Sequence, residues 1–236
     1  MSNVFKTIFF ILLSSAIHFA YAQGNIDTLK FYRFTSEKKA QITLKDGYKN
    51  GPAIYWNFFG KKIMEATYNM DTLDGEIIGW YSNGNIKFTG FYTKGKQNGK
   101  WYYWYRNGKI SAIQNFVLDI PEGYWYTWFK NGQLQSRVFY RNGKLENKSV
   151  TFFKNGNKES EIDYHNGMLN GKFITWYLNG QKEIEAEYKN DTLIKPYKEW
   201  YSNGIMTQES EMQLRMYNLK QEAKQDSVLI LPYKKK

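Results

Sequence analysis

The chain has 236 residues, 33 Lys and Arg against 22 Asp and Glu, a formal net charge of +11, no cysteine, and 19% aromatic residues. The missing cysteine excludes disulfide staples, a thiol nucleophile, a Cys-ligated metal and a lipid-modified N-terminal Cys, so stability must come from packing and strand pairing. Positive charge favours acidic partners in general, but the lysines are scattered through turns and only Lys234-Lys235-Lys236 forms a run.

Residues 1–22 read as a secretory signal peptide. Lys6 gives a positive start, residues 8–19 are mostly apolar, and Ala20-Tyr21-Ala22 is a small-x-small cleavage pattern before Gln23. The apolar run is shorter than the roughly 20 residues of a spanning helix. Export is therefore expected, to the periplasm, the cell envelope or the medium.

From residue 51 the chain repeats. Asn-Gly pairs stand at 83–84, 107–108, 131–132, 155–156, 179–180 and 203–204, always 24 residues apart, so that Gly84, Gly108, Gly132, Gly156, Gly180 and Gly204 are in phase. Three residues before each Asn lies an aromatic: Trp80, Trp104, Trp128, Phe152, Trp176 and Trp200, with Trp56 in the same phase before Phe59-Gly60. Units one to seven begin at 51, 75, 99, 123, 147, 171 and 195; Gly opens five of them, and Asn147 and Lys195 replace it in the others. A degenerate unit, in which Tyr32 replaces the Trp, lies within residues 23–50. The expected domains are the signal peptide at 1–22, an N-terminal degenerate repeat or cap at 23–50, the array at 51–212 and a C-terminal cap or tail at 213–236. A fixed period of this length marks a repeat architecture.

Each unit reads as a β-hairpin. Asn-Gly between β-rich runs favours a two-residue type I′ turn, and a looser turn centred on Gly or Asp then leads into the next unit. The fold class is all-β: an elongated antiparallel meander of about eight stacked hairpins. Alternation puts Ile77, Trp101, Trp125 and Phe173 on a packed face with Phe88, Ala186 and Tyr188. The Trp column then lies on the opposite face with Lys87, Ser111, Gln135, Glu159 and Glu183 between successive rings. A three-residue turn with a bulge would slip that register by one. The recurring Trp is read chiefly as packing within the repeat.

Units five to seven differ from the rest. The polar side of their second strand carries Glu159, Glu161, Asp163, Glu183, Glu185, Glu187, Glu209 and Glu211. The two-residue register sets Lys148 opposite Asp163, Lys172 opposite Glu187 and Lys198 opposite Glu209. Three lysines do not balance eight acids, which makes this surface a candidate docking site for a basic partner or a weak cation site. Beyond it, Met212, Met216, Leu219 and Ala223 are spaced for one side of a short helix, and residues 228–231 form an apolar strand-like run.

No catalytic constellation is legible. His165 sits in a turn, no Ser-His-Asp set or metal cluster assembles, and the glycines are spaced by structure. No cofactor is expected and nucleic acid is not an expected partner. The unit Gly-x4-Trp-Tyr-x-Asn-Gly, carried by Gly75, Trp80, Tyr81, Asn83 and Gly84 and again in units three, four and six, resembles the MORN-repeat family, in particular the bacterial variant of YwqK-type antitoxins. The resemblance covers about residues 27–212. It implies stacked hairpins, no catalytic residues, and a protein partner such as a toxin, or a membrane or glycan surface. The signal peptide departs from the pattern of an antitoxin for a cytosolic toxin.

Overall fold

The structure is a computed structural model that describes residues 26–32 and 38–229; the signal peptide and the lysine run lie outside these. The chain forms two compact units, one reaching Ile86 and including Tyr92–Gly95, the other made of Lys87–Phe91 and everything from Lys96. In the first, the strands Ile26–Tyr32, Lys38–Lys45, Tyr48–Trp56, Lys62–Asn69 and Thr72–Trp80 pair antiparallel in chain order. In the second, hairpins such as Gly99–Trp104 with Ile110–Val117, and Asn147–Phe152 with Lys158–His165, form an antiparallel meander of their own. Among the described residues the fold is all-β apart from one C-terminal helix, Gln208–Leu229.

The two kinds of turn exchange the roles expected of them. The Asn-Gly turns are three-residue loops: the Gly108 N–H donates to the Tyr105 carbonyl (2.9 Å) and the Tyr105 N–H to the Lys109 carbonyl (2.8 Å), and the same two bonds recur at Tyr81, Phe129, Phe153, Tyr177 and Tyr201. Only the glycine of each pair has positive φ, +83° at Gly108, which is a type I turn closed by a left-handed glycine. The two-residue turns are instead the ones that join units. His165 pairs with Met168 across Asn166 and Gly167, at φ 52° and 84°, and Arg141 pairs with Lys144 across Asn142 and Gly143, at 49° and 77°. These positive pairs define type I′.

The reason lies in the asparagine side chain. With Asn107 in the right-handed region, its Oδ1 accepts the Lys109 N–H (3.1 Å) while its Nδ2 donates to the Lys130 carbonyl of the next hairpin (3.4 Å). Asn131, Asn155 and Asn179 make the same pair of contacts, reaching the carbonyls of Lys154, Leu178 and Ser202. The amide works at both ends, once to close its own turn and once to hold its neighbour.

The third loop residue shifts the first pair by one, to Trp104 with Ile110, and a bulge one step on restores the expected pairing from Tyr103 with Ala112 to Gly99 with Phe116. The strand bodies therefore keep the expected faces. Ala53, Ala66, Ile77, Trp101, Phe116 and Ala186 are buried on the packed face, and Val150 on the other. Bulk is complementary across the strands: Trp101 occupies the space over Gly90, where a Cβ would stand 2.2 Å from the indole, and its ring centroid lies 6.2 Å from that of Phe88. Lys148 pairs with Asp163 and Lys172 with Glu187 as expected. Lys198 pairs with Glu185 instead of Glu209, because residue 209 is helical.

The unit-opening residue needs positive φ in six units, from Gly51 (107°) to Gly171 (119°), and Asn147 supplies it at 60°. Asn tolerates this region better than other side-chain-bearing residues, so its substitution keeps the geometry. Lys195 has no such φ, and there the array ends. Thr207 then starts the helix, its Oγ1 accepting the Ser210 N–H (3.3 Å). Ser210 is 2% exposed; its Oγ donates to the Tyr197 carbonyl (3.0 Å) and accepts the Glu199 N–H (2.9 Å), fastening the helix start to the last strand. The strand-like reading of 228–231 is corrected: residues 228 and 229 are helical, and 230–231 lie outside the described residues.

Candidate interaction surfaces

Three surfaces emerge from this frame: the Trp column, the Asn-Gly edge and the end of the array. The bulge changes what lies between the tryptophans. The residue opposite each ring is Lys62 at Trp56, Ile110 at Trp104, Leu134 at Trp128, Lys158 at Phe152 and Lys182 at Trp176, in place of the expected Ser111, Gln135, Glu159 and Glu183. Each such lysine reaches over the next indole: Lys62 over Trp80 (5.0 Å), Lys158 over Trp176 (5.4 Å) and Lys182 over Trp200 (5.7 Å). Each also bonds the glutamate three residues on, Glu65 (2.9 Å), Glu161 (2.8 Å) and Glu185 (2.5 Å). Where Ile110 and Leu134 replace the lysine, Ile113 and Arg137 replace the glutamate. The Lys-x-x-Glu spacing was visible in the sequence and is the signal that explains part of the acidic rows.

Six of the eight acids lie on strands, where several are already engaged, and two lie on the helix. Glu161 takes Lys148 as well as Lys158, and hydrogen bonds from these lysines hold its carboxyl below the usual range. Glu185 is lowered by Lys182, and Glu187 pairs with Lys195, whose ammonium is pushed up in return. Asp163 accepts the Lys172 N–H (3.1 Å) and Glu183 the Thr175 hydroxyl (3.1 Å), while Glu159 is exposed. Glu209 and Glu211 sit in the first helical turn, where the helix dipole favours them. Among the described residues no group of three His, Asp or Glu is placed to hold a metal.

The tryptophans are half-buried by these same lysines and by stacking, as between Tyr102 and Trp104 (6.1 Å) and between Tyr126 and Trp128 (5.9 Å). The tyrosine after a Trp reaches onward: the Tyr105 hydroxyl donates to the Trp128 carbonyl (2.6 Å) and Tyr177 to Trp200 (3.0 Å). His165 caps nothing catalytic; its Nδ1 lies 3.0 Å from Glu146, whose carboxyl also accepts the Asn166 N–H (2.8 Å) and is lowered chiefly by that bond.

Along the Asn-Gly edge, none of the loop residues 57–61, 81–85, 105–109, 129–133, 153–157, 177–181 and 201–205 is acidic, while Arg106, Lys109, Lys130 and Lys154 are basic. At the end of the array the helix presents Met212, Met216 and Leu219 outward, 63%, 53% and 52% exposed, and half-buries Leu214 and Tyr217. The apolar side read from the sequence is thus the side turned away from the sheet. Met212 and Met216, with Leu193, Ile194 and Pro196, line an open groove of about 660 Å³. Sequence reasoning missed this surface, because the helical spacing gave the stripe but not its direction.

Four stretches, residues 73–94, 97–117, 121–142 and 169–190, match the family model of the MORN repeat variant. These MORN-variant stretches lie in units two, three, four and six, which carry the opening Gly, the Trp and the Asn-Gly pair together. Unit one has Phe59 for Asn, unit five has Asn147 and Phe152, and unit seven gives way to the helix. MORN repeats are non-enzymatic modules that generally bind proteins or membranes. No curated protein matches the chain. Among solved structures, the one titled "Crystal Structure of TcdB2-TccC3" aligns with 77% of this chain at 11% identity and a TM-score of 0.18, an overlap too loose to bear on fold or function. This chain spans 14% of that chain. Among the described residues no helix is long and apolar enough to cross a membrane.

Proposed function

We propose that this chain is an exported, non-enzymatic repeat protein that binds another protein, in the manner of an antitoxin or immunity protein. The observation that carries the reading is the exposed apolar surface at the array's end, where Leu193, Ile194, Met212, Met216 and Leu219 stand open to solvent. Contiguous exposed apolar groups mark interaction sites. The repeat-family match agrees with a binding module. The acidic rows do not carry the reading, since lysines already engage Glu161, Glu185 and Glu187. Crosslinking in the envelope fraction followed by purification tests it: one stoichiometric partner is the expected result, and recovery of the chain alone refutes it. N-terminal sequencing of the purified protein tests export, with Gln23 expected first.

A second reading, an envelope-associated protein that binds anionic lipid or glycan, has one observation in its favour, the acid-free basic edge at Arg106, Lys109, Lys130 and Lys154. It predicts sedimentation with anionic vesicles or wall material that weakens steeply with salt. Salt-independent sedimentation removes its basis.

A further inference from the structure

At three junctions, consecutive repeats are joined at their two-residue turns by one shared device. The aspartate in the second turn position donates its N–H to a main-chain carbonyl of the preceding unit, and its carboxylate accepts the N–H of that same residue. Asp71 does this to Lys49 (2.9 and 2.8 Å), Asp119 to Gln97 (2.9 and 2.7 Å) and Asp191 to Leu169 (3.0 and 2.7 Å). Lys49, Gln97 and Leu169 occupy one phase of the repeat, and the next member of the series is Leu193. Leu193 pairs with Tyr188 one step beyond the closing pair of Lys189 and Thr192. In a two-residue hairpin this directs its N–H and carbonyl away from the partner strand, toward where another turn would stand. After Lys195 and Pro196 the chain forms a short strand and the helix. Among the described residues no turn meets Leu193.

The neighbouring position tells the same story. In earlier units a polar residue there holds the next turn: Asp74 accepts the Lys94 N–H (3.4 Å), Glu122 that of Asn142 (2.8 Å) and Glu146 that of Asn166 (2.8 Å). In the last unit this residue is Ile194, 45% exposed, and it faces the groove shared with Pro196, Met212 and Met216. Lys220 stands at the rim, beside Lys195, which Glu187 already engages; the Lys220 ammonium suits a carboxylate.

We propose that this end of the array is a docking site for a protein partner that presents an aspartate in a two-residue β-turn, its main chain and carboxylate engaging Leu193 and its flanking apolar residues filling the groove. The occupant is specified by the repeat-stacking interface itself, which the partner continues by one step, and by the charge of the rim. The inference rests on the protein-binding reading and gives that reading its surface.

The test titrates the full chain with a cyclic β-hairpin peptide displaying Tyr-Lys-Asn-Asp-Thr-Leu, the sequence of residues 188–193, and follows the Leu, Ile and Met methyl signals by NMR. Expected are shifts confined to Leu193, Ile194, Met212 and Met216, with binding at least tenfold weaker for a peptide carrying alanine in place of the aspartate, since that change removes a charge-assisted bond. Ile194→Glu in the chain should abolish binding; should that variant misfold, Met216→Ser should weaken it. No binding, equal binding of both peptides, or shifts elsewhere overturns the proposal. Retention of a crosslinked partner by the Ile194→Glu chain sinks the Leu193 site and leaves the protein-binding reading intact. Peptide binding without any crosslinked partner sinks that reading instead.

Discussion

The interior repeats and the last repeat are made of the same parts and end differently. In the interior, asparagine amides and Trp-Tyr pairs hold the following hairpin, and turn aspartates hold the preceding one. Asn131 spans to Lys154, Asp119 to Gln97, and Tyr105 to Trp128. In the last repeat the same residue types have no successor. Among the described residues Asn203 is seen closing its own turn through Ile205 (3.0 Å), and the chain goes on into a helix fastened by Ser210 to the Tyr197 carbonyl in place of a further hairpin. A repeat array is stabilised by terms between neighbours, so its end is both the less stable part and the part with unspent valence.

Substitutions sharpen this contrast. The largest effect is expected for Gly90→Ala, deep in an interior interface, because the new methyl would stand 2.2 Å from the Trp101 indole. Overpacking costs about 1–3 kcal/mol, occasionally more, and a fall in melting temperature of the unit containing Trp101 is the readout. If Gly90→Ala melts like the parent, the proposed complementarity of Gly90 and Trp101 is wrong. Next comes a matched pair. Asn131→Ala should cost about 2 kcal/mol and Asn203→Ala about 1 kcal/mol, given roughly 1 kcal/mol per hydrogen bond, as measured by chemical denaturation. Equal losses would mean that the amide bridge between repeats contributes nothing.

Acidification gives a smaller effect. Glu161 and Glu185 have folded-state values lowered by their lysines. Their contribution is therefore present above the unfolded value of about 4.3 and is lost as pH falls through the lower folded value. Each pair is partly exposed, so the expected size is about 0–1 kcal/mol. Glu161→Gln should flatten the acid limb of the stability curve; an unchanged acid limb contradicts the pairing. The smallest effect belongs to Ile194→Asn, which restores the residue type of earlier units at an exposed position. Its stability should stay within about 0.5 kcal/mol of the parent, and a larger loss would show that Ile194 is structural.

Much of this was legible in the residues. The 24-residue period gave the hairpins, the parity of Trp101 and Ile77 gave the packed face, and the body of each hairpin pairs as alternation demands. The turns were inverted, because Asn-Gly is read from the φ tolerance of its two residues while this fold uses the Asn side chain as a two-ended tie. The lysine partners of the acidic rows escaped the sequence for a related reason. Lys158 and Lys182 come opposite the aromatic column only through a bulge, and a bulge leaves no mark in a pattern of period two. Glu209 and Glu211 were assigned to a strand because the repeat phase extends one turn further in sequence than in space.

What the sequence determined by itself is the repeat: spacing, hairpins, faces and the absence of cysteine chemistry follow from residue type and position alone, since each is a local or nearest-neighbour property. What only the tertiary structure decided is how the array stops. Whether Met212 and Met216 face the sheet or the solvent, and whether Leu193 meets another turn, depends on where Ser210 anchors the helix against Tyr197 and Glu199. That anchor is a contact between chain segments that no periodicity encodes.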